Sequence, residues 1–139
     1  MEVLLATSKQ AINQPLILAV DDDEDSLLLL TEVVRGNNFS CITARSGKSA
    51  LALAQRYQPD LILLDILLPD LNGIEVVHRL RENPQTHLTP IVAVTALAKE
   101  EDYHRVMAAG CDDYVTKPYM LDDLETAIFD RLYRTVATA

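Results

Sequence analysis

No uninterrupted apolar run in this sequence approaches the roughly 20 residues that a membrane-spanning helix requires; the longest candidate, residues 61–71, is broken by Asp65, Pro69 and Asp70. A signal peptide is missing as well, because the short apolar patch Val3, Leu4, Leu5 has no basic leader before it and too little length. Both absences point to a cytoplasmic protein with no membrane partner. Cysteine is scarce: Cys41 and Cys111 lie far apart without metal-ligand spacing, which reads as two reduced structural thiols. Clusters of Lys and Arg are also lacking. With a formal net charge of -9, the chain offers little that a phosphate backbone rewards, so direct nucleic-acid binding is not expected. Neither an internal repeat nor a low-complexity tract interrupts the chain.

What is present suits one ordinary domain: 139 residues, 49% of them apolar and 24% charged, enough for a single core without disulfides or a structural metal. Residues 1–14 read as a leader of uncertain structure and 15–136 as the folded unit. Five acids stand in a row from Asp21 to Asp25, a costly concentration of like charge unless solvent, a helix N-terminus or a cation offsets it. Strands are expected over 16–20, 40–44, 61–64, 91–95 and 114–116. Helices are expected over 24–35, from the cap Ser46 to before Pro59, over 74–81 and 99–109, and from 121 to about 134. Continuously apolar strands are covered on both faces, and strict alternation with helices requires a parallel sheet. The expected class is therefore α/β, a doubly wound five-stranded parallel sheet with helices on both faces, its ligand site beyond the carboxyl ends of the strands.

Those ends carry the chemistry. The first strand runs into Asp21 and Asp22, the third into Asp65, the fourth ends in Thr95 and the fifth runs into Lys117. Asp65 is the conspicuous member, because it interrupts the apolar run LILLDILLP, where an unpartnered carboxylate is expensive. Mg2+ suits such a group, since it takes oxygen ligands from one or two carboxylates and binds phosphate oxygens. A carboxylate oxygen of Asp65 is then placed to attack phosphorus in line, with Lys117 pairing with the phosphoryl group and the Thr95 hydroxyl donating to it.

Four segments, LILAVDDD (16–23), LILLDILLPDLNG (61–73), IVAVTA (91–96) and GCDDYVTKPY (110–119), give the chain a resemblance to the response-regulator receiver family of two-component signalling, of the stand-alone type, over nearly its whole length. The resemblance implies a flavodoxin-like sheet of strand order 2-1-3-4-5 and a signalling switch rather than an enzyme, catalysing only its own phosphotransfer and dephosphorylation. It implies Asp65 as the phosphoacceptor; Mg2+ held by Asp22, Asp65 and the backbone carbonyl of Leu67, with Asp21 acting through water; and phosphoryl binding by Thr95, Ala96 and Lys117. Thr95 and Tyr114 match the family's switch pair, which biases a surface formed by the fourth helix, fifth strand and fifth helix. Lys117-Pro118 matches a bond that is commonly cis. Leu67 and Leu97 match positions beside the path of the hydrolytic water, which implies slow dephosphorylation. Implied partners are a sensor histidine kinase or phosphotransfer protein as donor and a downstream protein target, with a homodimer left open. Leu68, Asn72 and Cys111 depart from the commonest family residues without removing a reactive group.

Other readings fit less well. Asp21, Asp23, Asp25 and Glu32 fall on EF-hand positions, but Ser26 stands where that loop needs glycine. A phosphohydrolase of the haloacid-dehalogenase type carries a second acid two residues after its nucleophile, where this chain has Leu67. A flavodoxin-like cofactor protein needs a Ser, Thr and Gly-rich loop where the five acids sit. The remaining alternative is an unphosphorylated receiver-like interaction module.

Overall fold

The computed structural model describes residues 14–138. The leader expected over residues 1–14 thus lies outside the described residues except for Gln14, whose side chain accepts from the Ser40 hydroxyl at 3.2 Å.

The described residues form five strands and five helices in strict alternation: β1 (Leu16–Val20), α1 (Glu24–Gly36), β2 (Ser40–Ala44), α2 (Gly47–Tyr57), β3 (Leu61–Leu64), α3 (Gly73–Glu82), β4 (Ile91–Thr95), α4 (Glu100–Ala109), β5 (Asp113–Thr116) and α5 (Leu121–Thr138). All strand pairs are parallel and the order is β2-β1-β3-β4-β5, the expected topology. Side chains alternate across a strand, so each apolar run feeds two cores at once. Ile17, Ala19, Leu61, Leu63, Val92 and Val94 face one layer, where Leu27, Leu30 and Val34 of α1 and Leu124 and Ile128 of α5 cover them. Leu18, Val20, Ile62, Leu64, Ile91 and Ala93 face the other, against Ala50 and Ala54 of α2, Val76, Val77 and Leu80 of α3 and Val106 of α4. Both faces are covered, which is why the three inner strands β1, β3 and β4 read as hydrophobic stretches, unlike the edge strands β2 and β5.

Helix ends moved by a few residues, each for a local reason. Asn72 caps α3 one residue earlier than the periodicity suggests, its side chain accepting from Ile74 N–H at 2.8 Å. Lys99 is the residue before α4 rather than its first. Gly36 belongs to α1, which stops at Asn37. The last helix continues to Thr138, since neither Gly nor Pro follows residue 118 to break it. Both cysteines are free; burial raises the Cys41 thiol and pushes Cys111 up to about 12, which leaves both in the inert thiol form. No helix among the described residues is long and apolar enough to cross a membrane.

Candidate functional site

Register builds the site. β1 and β3 pair with Val20 opposite Leu64, so the next residue of each strand, Asp21 and Asp65, emerges side by side where the strand order reverses. The Asp65 amide donates to the Val20 carbonyl at 3.0 Å, holding that adjacency one step beyond the ladder. On the other side β4 pairs with β5 through Thr95 and Thr116, and Lys117 N–H donates to the Thr95 carbonyl at 2.9 Å. That bond aims the lysine back across the sheet end.

The five acids divide their tasks. Asp21 is buried; its Oδ1 accepts from Asp23 N–H at 2.9 Å and its Oδ2 from Lys117 Nζ at 2.5 Å. Asp23 caps α1 by accepting from Ser26 N–H at 2.9 Å, which lowers its pKa, and Glu24 and Asp25 occupy the first turn, where the helix dipole favours anions. Only Asp22 remains without such a task; it is exposed beside the crevice, and its backbone carbonyl accepts from Arg45 Nη2 at 3.0 Å. An EF-hand is excluded here, because residues 24–36 are helical and Leu27 and Leu30 lie in the core.

Asp21, Asp22 and Asp65 each offer a carboxylate oxygen within 4.8 Å of the others. Such a set of hard oxygen donors fits Mg2+ and would suit neither a soft metal nor a structural zinc. Lys117 Nζ reaches Asp65 Oδ2 at 3.1 Å as well as Asp21, so one cation spans two acids. Burial pushes the Asp21 carboxyl up, partly offset by the ammonium beside it. For Lys117 burial alone would lower the pKa, but the Asp21 and Asp65 carboxylates outweigh it and the net shift is upward. The ammonium therefore stays charged, but it is one cation among three carboxylates and contacts only Asp21 and Asp65, which leaves the crevice anionic.

Asp65 is 5% exposed, and its Oδ1 accepts from Leu67 N–H at 3.0 Å, a turn that opens the β3–α3 loop and fixes the carboxylate's orientation. Leu67 itself is half exposed. The loop closes where Gly73 N–H donates to the Ile66 carbonyl at 2.8 Å; a Cβ on Gly73 would lie 2.5 Å from Ile66 Cα, so no larger residue fits without moving the backbone.

The remaining expected residues line the β4 and β5 side. Thr95 is buried, its hydroxyl accepting weakly from Leu97 N–H at 3.4 Å, and Ala96 is exposed next to it. Tyr114 is half-buried against the Tyr103 ring, with centroids 5.4 Å apart, and its hydroxyl donates to the Leu97 carbonyl at 2.5 Å. The β4–α4 loop thus links the threonine to the tyrosine through Leu97. The Lys117-Pro118 bond is cis.

One contributor escapes a reading of the strand ends. Asp70, in the β3–α3 loop, accepts from Gly47 and Lys48 N–H at 2.8 and 2.9 Å, and these bonds hold its pKa at about 2. The available signal was α2 itself, whose first turn contains a lysine and no acid to complement its dipole.

Residues 17–129 match the response regulator receiver domain family. Among curated proteins, the chain is 38% identical over 132 residues to the "Probable transcriptional regulatory protein TcrX" of Mycobacterium tuberculosis, covering 94% of this chain and 55% of that protein. It is 37% identical over 102 residues to the polar-differentiation response regulator DivK of Brucella ovis, covering 73% of this chain and 83% of that one. The chain therefore spans little more than half the length of the first relative. Among solved structures, the receiver domain of a Pseudomonas aeruginosa sensor histidine kinase, described with a magnesium ion coordinated in its active site cleft, superposes with a TM-score of 0.80 at 27% identity, over 86% of this chain and 98% of that one.

Proposed function

The chain belongs to the response regulator receiver family, and on that premise we propose that it accepts a phosphoryl group on Asp65 from a histidine kinase or phosphotransfer protein in a Mg2+-dependent reaction. Receiver domains are signalling modules rather than conventional enzymes, so the only chemistry asked of these residues is their own phosphorylation and its reversal. The observation that carries the reading is the meeting of Asp21, Asp22 and Asp65 with Lys117 at the strand-order reversal.

Asp22, Asp65 and the Leu67 carbonyl would hold Mg2+, with Asp21 acting through water. When bound, the ion supplies the positive charge that screens an incoming phosphoryl group from three acids. Asp65 Oδ1 is turned into the loop by the Leu67 amide, whereas Oδ2 faces Lys117, the cation that would take up the phosphoryl charge, so Oδ2 is the oxygen assigned as the nucleophile. Lys117 then exchanges a carboxylate partner for a phosphoryl oxygen without leaving its place. The Thr95 hydroxyl, held only by a long bond from Leu97 N–H, is free to turn and donate to that group, next to Ala96. Because Leu97 also receives the Tyr114 hydroxyl, movement of Thr95 is transmitted to the face made by α4, β5 and α5, which a downstream protein would read. That partner, and any homodimer through the same face, belongs to the proposal.

The test is incubation with Mg2+ and a small phosphodonor, followed by intact mass. The wild type gains one phosphoryl group, whereas Asp65→Asn, or the wild type in EDTA, gains none. An unmodified wild type under these conditions would favour the unphosphorylated interaction module.

A further inference from the structure

We propose that Asp70 is a positioning residue for the metal side of this site: it fastens the middle of the β3–α3 loop to the first turn of α2 and so presets the Leu67 backbone for a divalent cation. The inference rests on the reading of Asp65 and the Leu67 carbonyl given above, and it assigns a task to a residue outside the strand-end set.

The loop runs from Asp65 to Asn72 and is tied at both ends to itself, by the Leu67 amide on Asp65 and by the Gly73 amide on Ile66. Between those tethers Leu68 and Leu71 rest against the apolar core, a contact without the directional hold of a hydrogen bond. Asp70 supplies it, with one carboxylate oxygen on Gly47 N–H and the other on Lys48 N–H. Contact reinforces the bond: a Cβ on Gly47 would lie 2.8 Å from Leu71 Cβ and 3.0 Å from Val76 Cγ2, so the loop rests directly on the helix start.

The sequence of α2 makes the arrangement necessary. A helix leaves its first amides unpaired, and Ser46 satisfies only that of Ser49, at 3.1 Å. The amides of Gly47 and Lys48 remain, at the positive end of a helix with no acid in its first turn. An anionic acceptor from elsewhere is the best partner available, and a carboxylate with two oxygens serves both amides. Its depressed pKa, about 2, is the corollary of being so held. Leu67 lies two residues from Asp65 and three from Asp70, so its backbone is suspended between two fixed points. Releasing Asp70 makes cation binding pay the ordering of the loop, and affinity falls for lack of preorganisation.

The experiment compares the wild-type chain of 139 residues, Asp70→Ala and Ser46→Ala by calorimetric titration with Mg2+ alone, and by thermal unfolding in EDTA. Ser46→Ala removes a bond from the same helix end without touching the loop, so it separates positioning from helix stability. Both variants are expected to melt earlier than wild type. Only Asp70→Ala should show a raised Mg2+ dissociation constant, by about tenfold, the low end of what losing an outer partner of a metal site costs. Should Asp70→Ala fail to fold, Asp70→Asn, which keeps one acceptor oxygen, carries the test with a rise in the same direction and below about tenfold. Unchanged Mg2+ affinity in the Asp70 variant, or an equal loss in Ser46→Ala, overturns the inference and leaves the reading of Asp65 intact. Wild type that binds no Mg2+ overturns both.

Discussion

The two ends of the sheet handle charge in opposite ways. At the amino ends of β4 and β5, Arg81 uses its whole fork: Nε and Nη2 donate to the Gly110 carbonyl at 3.0 and 2.8 Å, Nη1 to the His87 and Thr89 carbonyls at 3.0 and 2.7 Å, and Nη2 also to Asp112 at 3.0 Å. Asp112 in turn accepts from the Ile91 amide at 2.8 Å. Five donor bonds, a matched acid and two loops pinned together make a finished structure. At the carboxyl ends, one lysine serves Asp21 and Asp65 while Asp22 stands by, and the charge does not close. An acid cluster left short of positive charge is the mark of a candidate working site, and an arrangement complete in itself is the mark of a clamp.

Breaking the clamp should have the largest thermodynamic effect. Arg81→Ala strands three loop carbonyls and Asp112, and is expected to destabilise the fold by about 2–4 kcal/mol in chemical denaturation, with Arg81→Lys recovering little because an ammonium lacks the planar fork. Mg2+ affinity of the folded variant should be unaltered; a parallel loss would mean that the two ends are coupled. The converse manipulation acts only on the site. Mg2+ at ten times its dissociation constant should stabilise the wild type by about 1.4 kcal/mol through mass action, reversed by EDTA and carried over unchanged into the Arg81 variant. A smaller effect sharpens the comparison further. Asp70, with a pKa lowered from 3.8 to about 2, binds its proton less readily folded than unfolded, so its contribution is present above about 4 and is lost as pH falls toward about 2. The stability gap between wild type and Asp70→Ala, measured by denaturation at a series of pH values, should narrow over that interval and stay flat from pH 5 to 7.

Much of this molecule was open to inspection before any coordinates. Strands buried on both faces announce themselves as apolar runs, as β1, β3 and β4 do; the edge strands β2 and β5 are mixed in sequence and only partly buried, yet stand where they were expected, β5 beginning one residue earlier at Asp113. The acids of β1 and β3 and the lysine after β5 stood out because strand ends in a doubly wound sheet converge, and the structure brings Asp21, Asp22, Asp65 and Lys117 into one crevice. Helix ends were less legible, since Asn72 sets the start of α3 by a single side-chain cap that periodicity does not see, and α4 starts after Lys99 without any side-chain cap to mark it. Arg81 and Asp70 were legible as residues but not as fasteners. Nothing near Arg81 in sequence says that the carbonyl of Gly110 will be its partner, and nothing near Asp70 says that α2 lacks an acid.

The division has a physical basis. Hydrophobic patterning and the interruption of an apolar run by an acid are properties of residue types at short spacing, so the order of elements, the two-layered core and the place of Asp65 at a strand end were determined by the chain alone. Which oxygen of Asp65 faces Lys117, which helix Asp70 holds and how Arg81 reaches the Gly110 carbonyl depend on atoms 23 to 52 residues apart being fixed to within a hydrogen-bond length. Only the packed sheet, by setting register between strands distant in sequence, imposes distances of that kind.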